Sequence, residues 1–246
     1  MEAGLESAGR DEPAEEVTVR SRIRTSTFLI LVPAFSFALL LGIGIAPVSA
    51  ATIRDCADRV LEPGADLRRC DLRSLPVAGA NLTGADMDRA TLAGMNLDNG
   101  PDGPETTLAN ASLVRADLHG AILSASDVRS ADLSSADLSD VQFEETRLGD
   151  ARLRGANLAG ALFFFTDVAR ADLGRADLRE AGLTHSVFVD VDFDRAQLDG
   201  ADFTGADLTG ASFDRVSGLA TVTWADTTCP DGANSDDVGG SCIGHL

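Results

Sequence analysis

Three histidines, four cysteines and a long series of aspartates carry the chemistry available to this 246-residue chain. None of the histidines (His119, His185, His245) lies in a pattern that sets it beside a nucleophile. Every one of the 20 basic residues is Arg, so there is no lysine for a phosphate loop, and GxSxG, HExxH and GxGxxG are absent. The acidic residues outnumber the basic ones 39 to 20. That balance argues against nucleic-acid binding, which needs a cationic face to displace counterions, and against a basic contact with anionic lipid. Near the end, CPDGANSDDVGGSC sets Asp231, Asn234, Asp236 and Asp237 close together. These oxygen donors suit calcium, although Pro-Asp-Gly is equally an ordinary turn, and both readings stand. The expectation is a protein with no catalytic residues, no cofactor and no metal.

The elements that must position these groups begin with an address. Residues 1–26 are acidic and then Arg-rich, with Arg20, Arg22 and Arg24 preceding an apolar run from Thr27 to Ala46. Residues 27–50 end in Val48-Ser49-Ala50, a small-x-small sequence that marks signal cleavage after Ala50. About 20 apolar residues also suffice to cross a bilayer, so retention as a membrane anchor is the rival reading. Either one exports the remainder, to a secreted or cell-envelope location, and membrane contact is expected only through this segment.

From residue 65 to 216 the chain repeats every five residues, as in ADLRR at 65, ANLTG at 80, ADLHG at 116, ADLSS at 131 and ADFTG at 201. The central residue is apolar in all 29 units, Ala stands two positions earlier in 19, and the residue between them is Asp or Asn in 16. Five residues advance a helical stripe by about 140°, so no helix face survives, and an odd period alternates the faces of a continuous strand. The pattern closes if each unit is one short extended side ending in a bend, with Ala and Leu inward and Asp outward. Thr106, Ser126, Thr146, Thr166 and Ser186 replace Ala at intervals of 20 residues, which implies four sides per coil.

These A(D/N)LxG units resemble the pentapeptide-repeat proteins. The resemblance implies an all-β solenoid, a right-handed quadrilateral β-helix, here of about 20 residues per coil and about 7.5 coils. Residues 98–107, DNGPDGPETT, read as an irregular side with a one-residue insertion that bulges at Pro101 and Pro104. A solenoid leaves weak, sticky ends, so caps are expected at 51–64 and 217–246. Cys56 and Cys70 bracket one end of the solenoid, Cys229 and Cys242 the other. Since a bridge needs Cα atoms within about 7 Å, the expected pairs are Cys56–Cys70 and Cys229–Cys242, although Cys70 at an inward site also reads as a buried free thiol. Ala51–Val60 reads as a short helical cap, and Leu219–Trp224 as a last strand that lays Trp224 over the open core.

One anomaly points to a partner. Leu162, Phe164 and Phe165 fall at outward or corner positions, Val187 and Val189 flank Phe188 one coil later, and Ile122 lies two coils below Leu162. They form either an exposed patch for an unknown protein partner or for self-association, or a distorted corner tucked under a neighbouring loop. The first functional reading is therefore an exported structural or protein-binding module. Some members of the family imitate DNA towards enzymes such as gyrase, which makes an acidic DNA-mimic rod the second reading; an envelope-tethered spacer is the third.

Overall fold

The computed structural model describes residues 54–56, 58–98, 100 and 103–246. The apolar segment, the Ala50 cleavage site and Pro101 lie outside the described residues, and among the described residues no helix is long and apolar enough to cross a membrane. What is described is an all-β solenoid.

Each unit is built the same way. The inward Ala and the central Leu or Phe enclose one outward residue, whose N–H donates to the coil below and whose C=O accepts from that same coil, while the flanking inward residues bond to the coil above. Asp86, for instance, donates to Ala65 O at 2.9 Å and accepts from Leu67 N at 2.7 Å. The corner follows as a turn, in which the next unit's N–H returns to the central carbonyl (Ala116 N to Leu113 O, 3.0 Å). The last residue of the unit takes a positive φ. Glycine meets that demand at Gly84, Gly94 and Gly120, yet 19 non-glycine residues also occupy it, from Arg69 (58°) to Asp226 (51°).

Parallel bridges stack the units into four columns. The first passes through Asp132 and Asp172, the second through Asp137 and Asp177, the third through Ile122, Gln142, Leu162 and Gly182, and the fourth through Asp127, Arg147, Asp167 and Val187. Partners between Thr107 and Ser217 are twenty residues apart, as in Thr107↔Asp127 and Gln197↔Ser217. Two units form longer extended runs, β3 (Gln142–Glu144) and β4 (Leu162–Phe164), paired in parallel register. Of the 29 central residues 28 are buried, and Phe213 near the end is half-buried. Thr106, Ser126, Thr146, Thr166 and Ser186 are buried in one file. Their hydroxyls are tied to backbone: Thr146 Oγ1 donates to Leu123 O at 2.8 Å, Thr166 Oγ1 to Phe143 O, and Ser186 Oγ accepts from Thr166 N at 3.0 Å.

Three expectations need correction. Residues 98–107 do not supply a side. Across this segment the bridges join residues 26 apart (Asn81↔Thr107, Asp86↔Ser112, Asn96↔Ile122), so the segment adds six residues to a complete coil and Leu108 follows Leu82 in its column. The physical reason is compositional: between Asp98 and Glu105 there is no apolar side chain to serve as a centre. Among the described residues of the amino-terminal cap, Arg54–Asp55 is a strand, β1, rather than helix, paired in parallel with β2 (Cys70–Asp71). At the other end Leu219–Thr221 is a 3-10 turn rather than strand. It adds one residue to the coil, and the columns then resume through Asp202↔Thr223 and Asp207↔Thr228, beyond the expected boundary at 216. Gly218 begins that turn at φ 84°, so close to Asp199 that a Cβ would strike its backbone.

Both ends are closed covalently. Cys56–Cys70 and Cys229–Cys242 are disulfides, with Cα separations of 5.5 and 5.4 Å. Trp224 is 3% exposed and stacks on Phe203 at 5.5 Å and 8° between planes. It ends an aromatic series that runs through Phe143, Phe163, Phe188 and Phe203 along the core.

Candidate functional site

The outward aspartates turn out to be structural. In all 16 units with Asp or Asn at the middle position, the side-chain oxygen accepts the N–H two residues ahead, capping the corner. From the sequence these residues read only as the outward member of each unit; the missed signal for capping is that Asp and Asn occupy the position and Glu does not. Where Arg stands at that second residue, its guanidinium forks back onto the carboxylate, as in Arg68–Asp66, Arg73–Asp71 and Arg179–Asp177. The Arg73 fork draws the Asp71 carboxyl down to about 2. Asp127 is held most firmly: it is 6% exposed, paired with Arg129 at 2.6 Å and Arg147 at 3.5 Å, and lowered to about 2 chiefly by Arg129.

Three of the four oxygen donors of the carboxy-terminal loop, Asp231, Asn234 and Asp236, are likewise engaged. Asp231 accepts from Ala233 N at 2.9 Å and meets His245 Nδ1 at 2.6 Å, Asn234 caps the 3-10 turn Ser235–Val238 by accepting from Asp236 N, and Asp236 accepts from Asp226 N. Among the described residues no group of three or more His, Cys, Asp or Glu is arranged to hold a metal ion. His119 Nδ1 lies 2.9 Å from Ser139 Oγ and 3.1 Å from Ser139 O, one coil above at an exposed corner, and the Ser139 hydroxyl donates to Asp137 Oδ1 at 2.6 Å.

The remaining site is apolar. At the corner between the third and fourth sides, Leu162 is 52%, Phe164 39% and Phe165 58% exposed, and Val187 on the fourth side one coil above is 40% exposed. These residues are not tucked under a loop. Ile122 and Val189 are half-buried at the margin, Ile122 separated from Leu162 by Gln142 in the column and Val189 at the next corner. The Phe164 and Phe165 rings lie 4.3 Å apart, and His185 covers both, edge-on to Phe164 at 5.8 Å and stacked on Phe165 at 5.6 Å. Phe165 holds its place at φ 51°, a costly backbone for an aromatic residue. Below the shelf, Glu144 is the register partner of Phe164, and Glu145 N donates to Phe164 O at 2.9 Å. His185, Glu144 and Glu145 were missed by sequence reasoning, although the twenty-residue count that aligns the columns also locates them.

The stacked quintets agree with what the comparison of sequences finds. The family model for pentapeptide repeats matches in eight copies over residues 65–99, 105–140, 142–179 and 176–215. The chain belongs to the pentapeptide-repeat family. Similar solved pentapeptide-repeat structures include HetL, involved in heterocyst differentiation regulation in the cyanobacterium Nostoc sp. strain PCC 7120, at 27% identity over 64% of this chain and 86% of that one, TM-score 0.35. Rfr23 from the cyanobacterium Cyanothece 51142 is 22% identical over 55% of this chain and 93% of that one, TM-score 0.37. QnrB1, a plasmid-mediated fluoroquinolone resistance protein, is 17% identical over 58% of this chain and 83% of that one, TM-score 0.38. No curated protein matches significantly. The gap between the first and second matched segments of this pentapeptide-repeat protein, 100–104, falls between Leu97 and Leu108, where the coil is 26 residues long.

Proposed function

We propose that this pentapeptide-repeat chain is an exported, non-catalytic module that binds a protein partner through the corner of Leu162, Phe164, Phe165 and Val187. The observation that carries the reading is the exposure of two adjacent aromatic rings on a solenoid that otherwise directs its Phe side chains inward. Exposed rings of this size cost solubility unless something covers them, and Phe165 adds backbone strain that core packing does not reward. The two disulfides support an oxidising location, in keeping with the Arg-flanked apolar segment and Ala50 at the amino terminus. The right hand of the coil is part of the same reading.

The forked Arg–Asp pairs weigh against the DNA-mimic alternative. A surrogate for phosphates needs open carboxylates, whereas Asp66, Asp71, Asp127 and Asp177 are each neutralised locally by an arginine two residues on. Two experiments test the proposal. Amino-terminal sequencing of protein from separated cell fractions should begin at Ala51 in exported material; an intact Met1 in the cytoplasm overturns export. Phe164→Ser with Phe165→Ser should abolish partner capture or self-association with circular dichroism unchanged; unaltered hydrodynamic size and binding overturn the patch.

A further inference from the structure

The apolar corner does not stand alone on its edge. Directly below it, the same corner carries Glu144 and Glu145, and one coil lower the small residues Ser124 and Ala125. The small side chains leave a cleft of about 220 Å³ walled by Asp98, Glu144 and Glu145, beside one of about 340 Å³ walled by Asp98, Glu105 and Glu145. Glu105 is paired with Arg147, whereas Asp98, Glu144 and Glu145 have no arginine or histidine partner among the described residues, unlike the forked aspartates on the flat sides. The edge therefore reads, from bottom to top, as open carboxylates, then two aromatic faces, with coils about 4.8 Å apart.

Carboxylate beside exposed ring is the chemistry that recognises a guanidinium. The planar cation stacks on the ring while its N–H groups fork onto the acid, and an ammonium does the second part less well. We propose that this corner receives an extended segment of another protein in which arginine alternates with an apolar residue, the arginine lying between Glu144, Glu145 and Phe164 and the apolar side chain resting on Phe165 and Leu162. The proposal rests on the reading of the corner as a docking surface and names the partner's chemistry. A second copy of this chain is a poor occupant, because two such edges would bring unpaired carboxylates together.

The test is fluorescence polarisation of the purified chain with a fluorescein-labelled peptide, Gly-Arg-Leu-Arg-Leu-Gly, at low and at physiological salt. Binding should weaken with salt, weaken at least tenfold in Glu144→Gln with Glu145→Gln, and weaken similarly when the peptide arginines become lysines. Asp172→Asn with Asp177→Asn, on the first and second sides flanking the opposite corner, should bind as the parent does. The inference is overturned if the Glu144/Glu145 variant binds normally, or if the Asp172/Asp177 variant loses as much, since attraction is then net charge alone. It is also overturned if sedimentation shows a dimer that the Phe164/Phe165 variant dissociates while the arginine peptide fails to bind. That last result would leave the docking reading standing and replace the occupant, so the two failures are distinguishable.

Discussion

At the scale of the residue, two positions in each quintet do opposite work. The middle Asp or Asn shortens its reach to cap the turn two residues on, a role for which Glu is one methylene too long. Asp132, whose Oδ1 accepts Ser134 N at 3.0 Å, separates acceptor from charge. Asp132→Asn should be nearly neutral, while Asp132→Ala should lose about 1 kcal/mol in urea unfolding. The last residue of the quintet bears the left-handed backbone, and Phe165 bears it while exposed. Phe165→Gly should therefore leave stability within about 1 kcal/mol of the parent, relief of strain offsetting the added freedom of the unfolded chain. Phe163→Ala, two residues earlier and 1% exposed, should cost about 3–5 kcal/mol. Thermal unfolding of the two variants reads the difference, and equal losses would contradict the division of roles between neighbours.

At the scale of the element, the coil is a counted object. The file of hydroxyls spaced by twenty announced four sides, and the structure places those hydroxyls inside one corner, where each binds a carbonyl or an N–H of its own or a neighbouring coil. Thr146→Val removes the donor to Leu123 O and should cost about 1–3 kcal/mol, since a buried carbonyl loses a partner. The loop at 98–103 makes a sharper test of counting. Because its coil is 26 residues long, deleting residues 98–103 should keep every column in register and preserve cooperative unfolding. Under the one-insertion reading the same deletion would remove a whole side and turn every later column by one face, so a lost or broadened transition would contradict the count of six. Circular dichroism and thermal melts of the deletion decide. The loop was misread from sequence because periodicity counts residues and cannot see which of them leave the ladder.

At the scale of the whole molecule, stability has a pH signature with a definite sign. The carboxyls of Asp66, Asp71, Asp127, Asp150 and Asp177 are all drawn below their ordinary values, each chiefly by the side chain of an arginine that donates to it. A carboxyl whose folded value is depressed contributes stability above its unfolded value and loses it as pH falls through the folded one. The melting temperature should thus be flat above about pH 5 and fall between about pH 4 and pH 2, as Asp71 and Asp127 protonate near 2. A melt unchanged across that interval would show the forks to be energetically idle. The disulfides act at the two ends. Reducing both should destabilise the chain by about 3 kcal/mol for each closed loop on the loop-entropy account, read as a lower melting temperature in reductant.

The sequence by itself determined the period, the inward and outward positions and the four-sidedness, because each is a matter of local spacing repeated until chance is excluded; of the two readings of Cys70, the structure chose the disulfide. Leu162, Phe164 and Phe165 were legible for the same reason, as departures from a regular rule. Only the tertiary structure decided that the coil spanning residues 98–107 is 26 residues long, that Arg54–Asp55 pairs as a strand and that Leu219–Thr221 turns. The stacking of His185 on the rings and the exposure of Phe164 and Phe165 were likewise decided there. Those outcomes depend on which backbone groups meet across coils, and hydrogen-bond partners twenty or more residues apart are chosen by the stacked neighbours and not by the quintet itself.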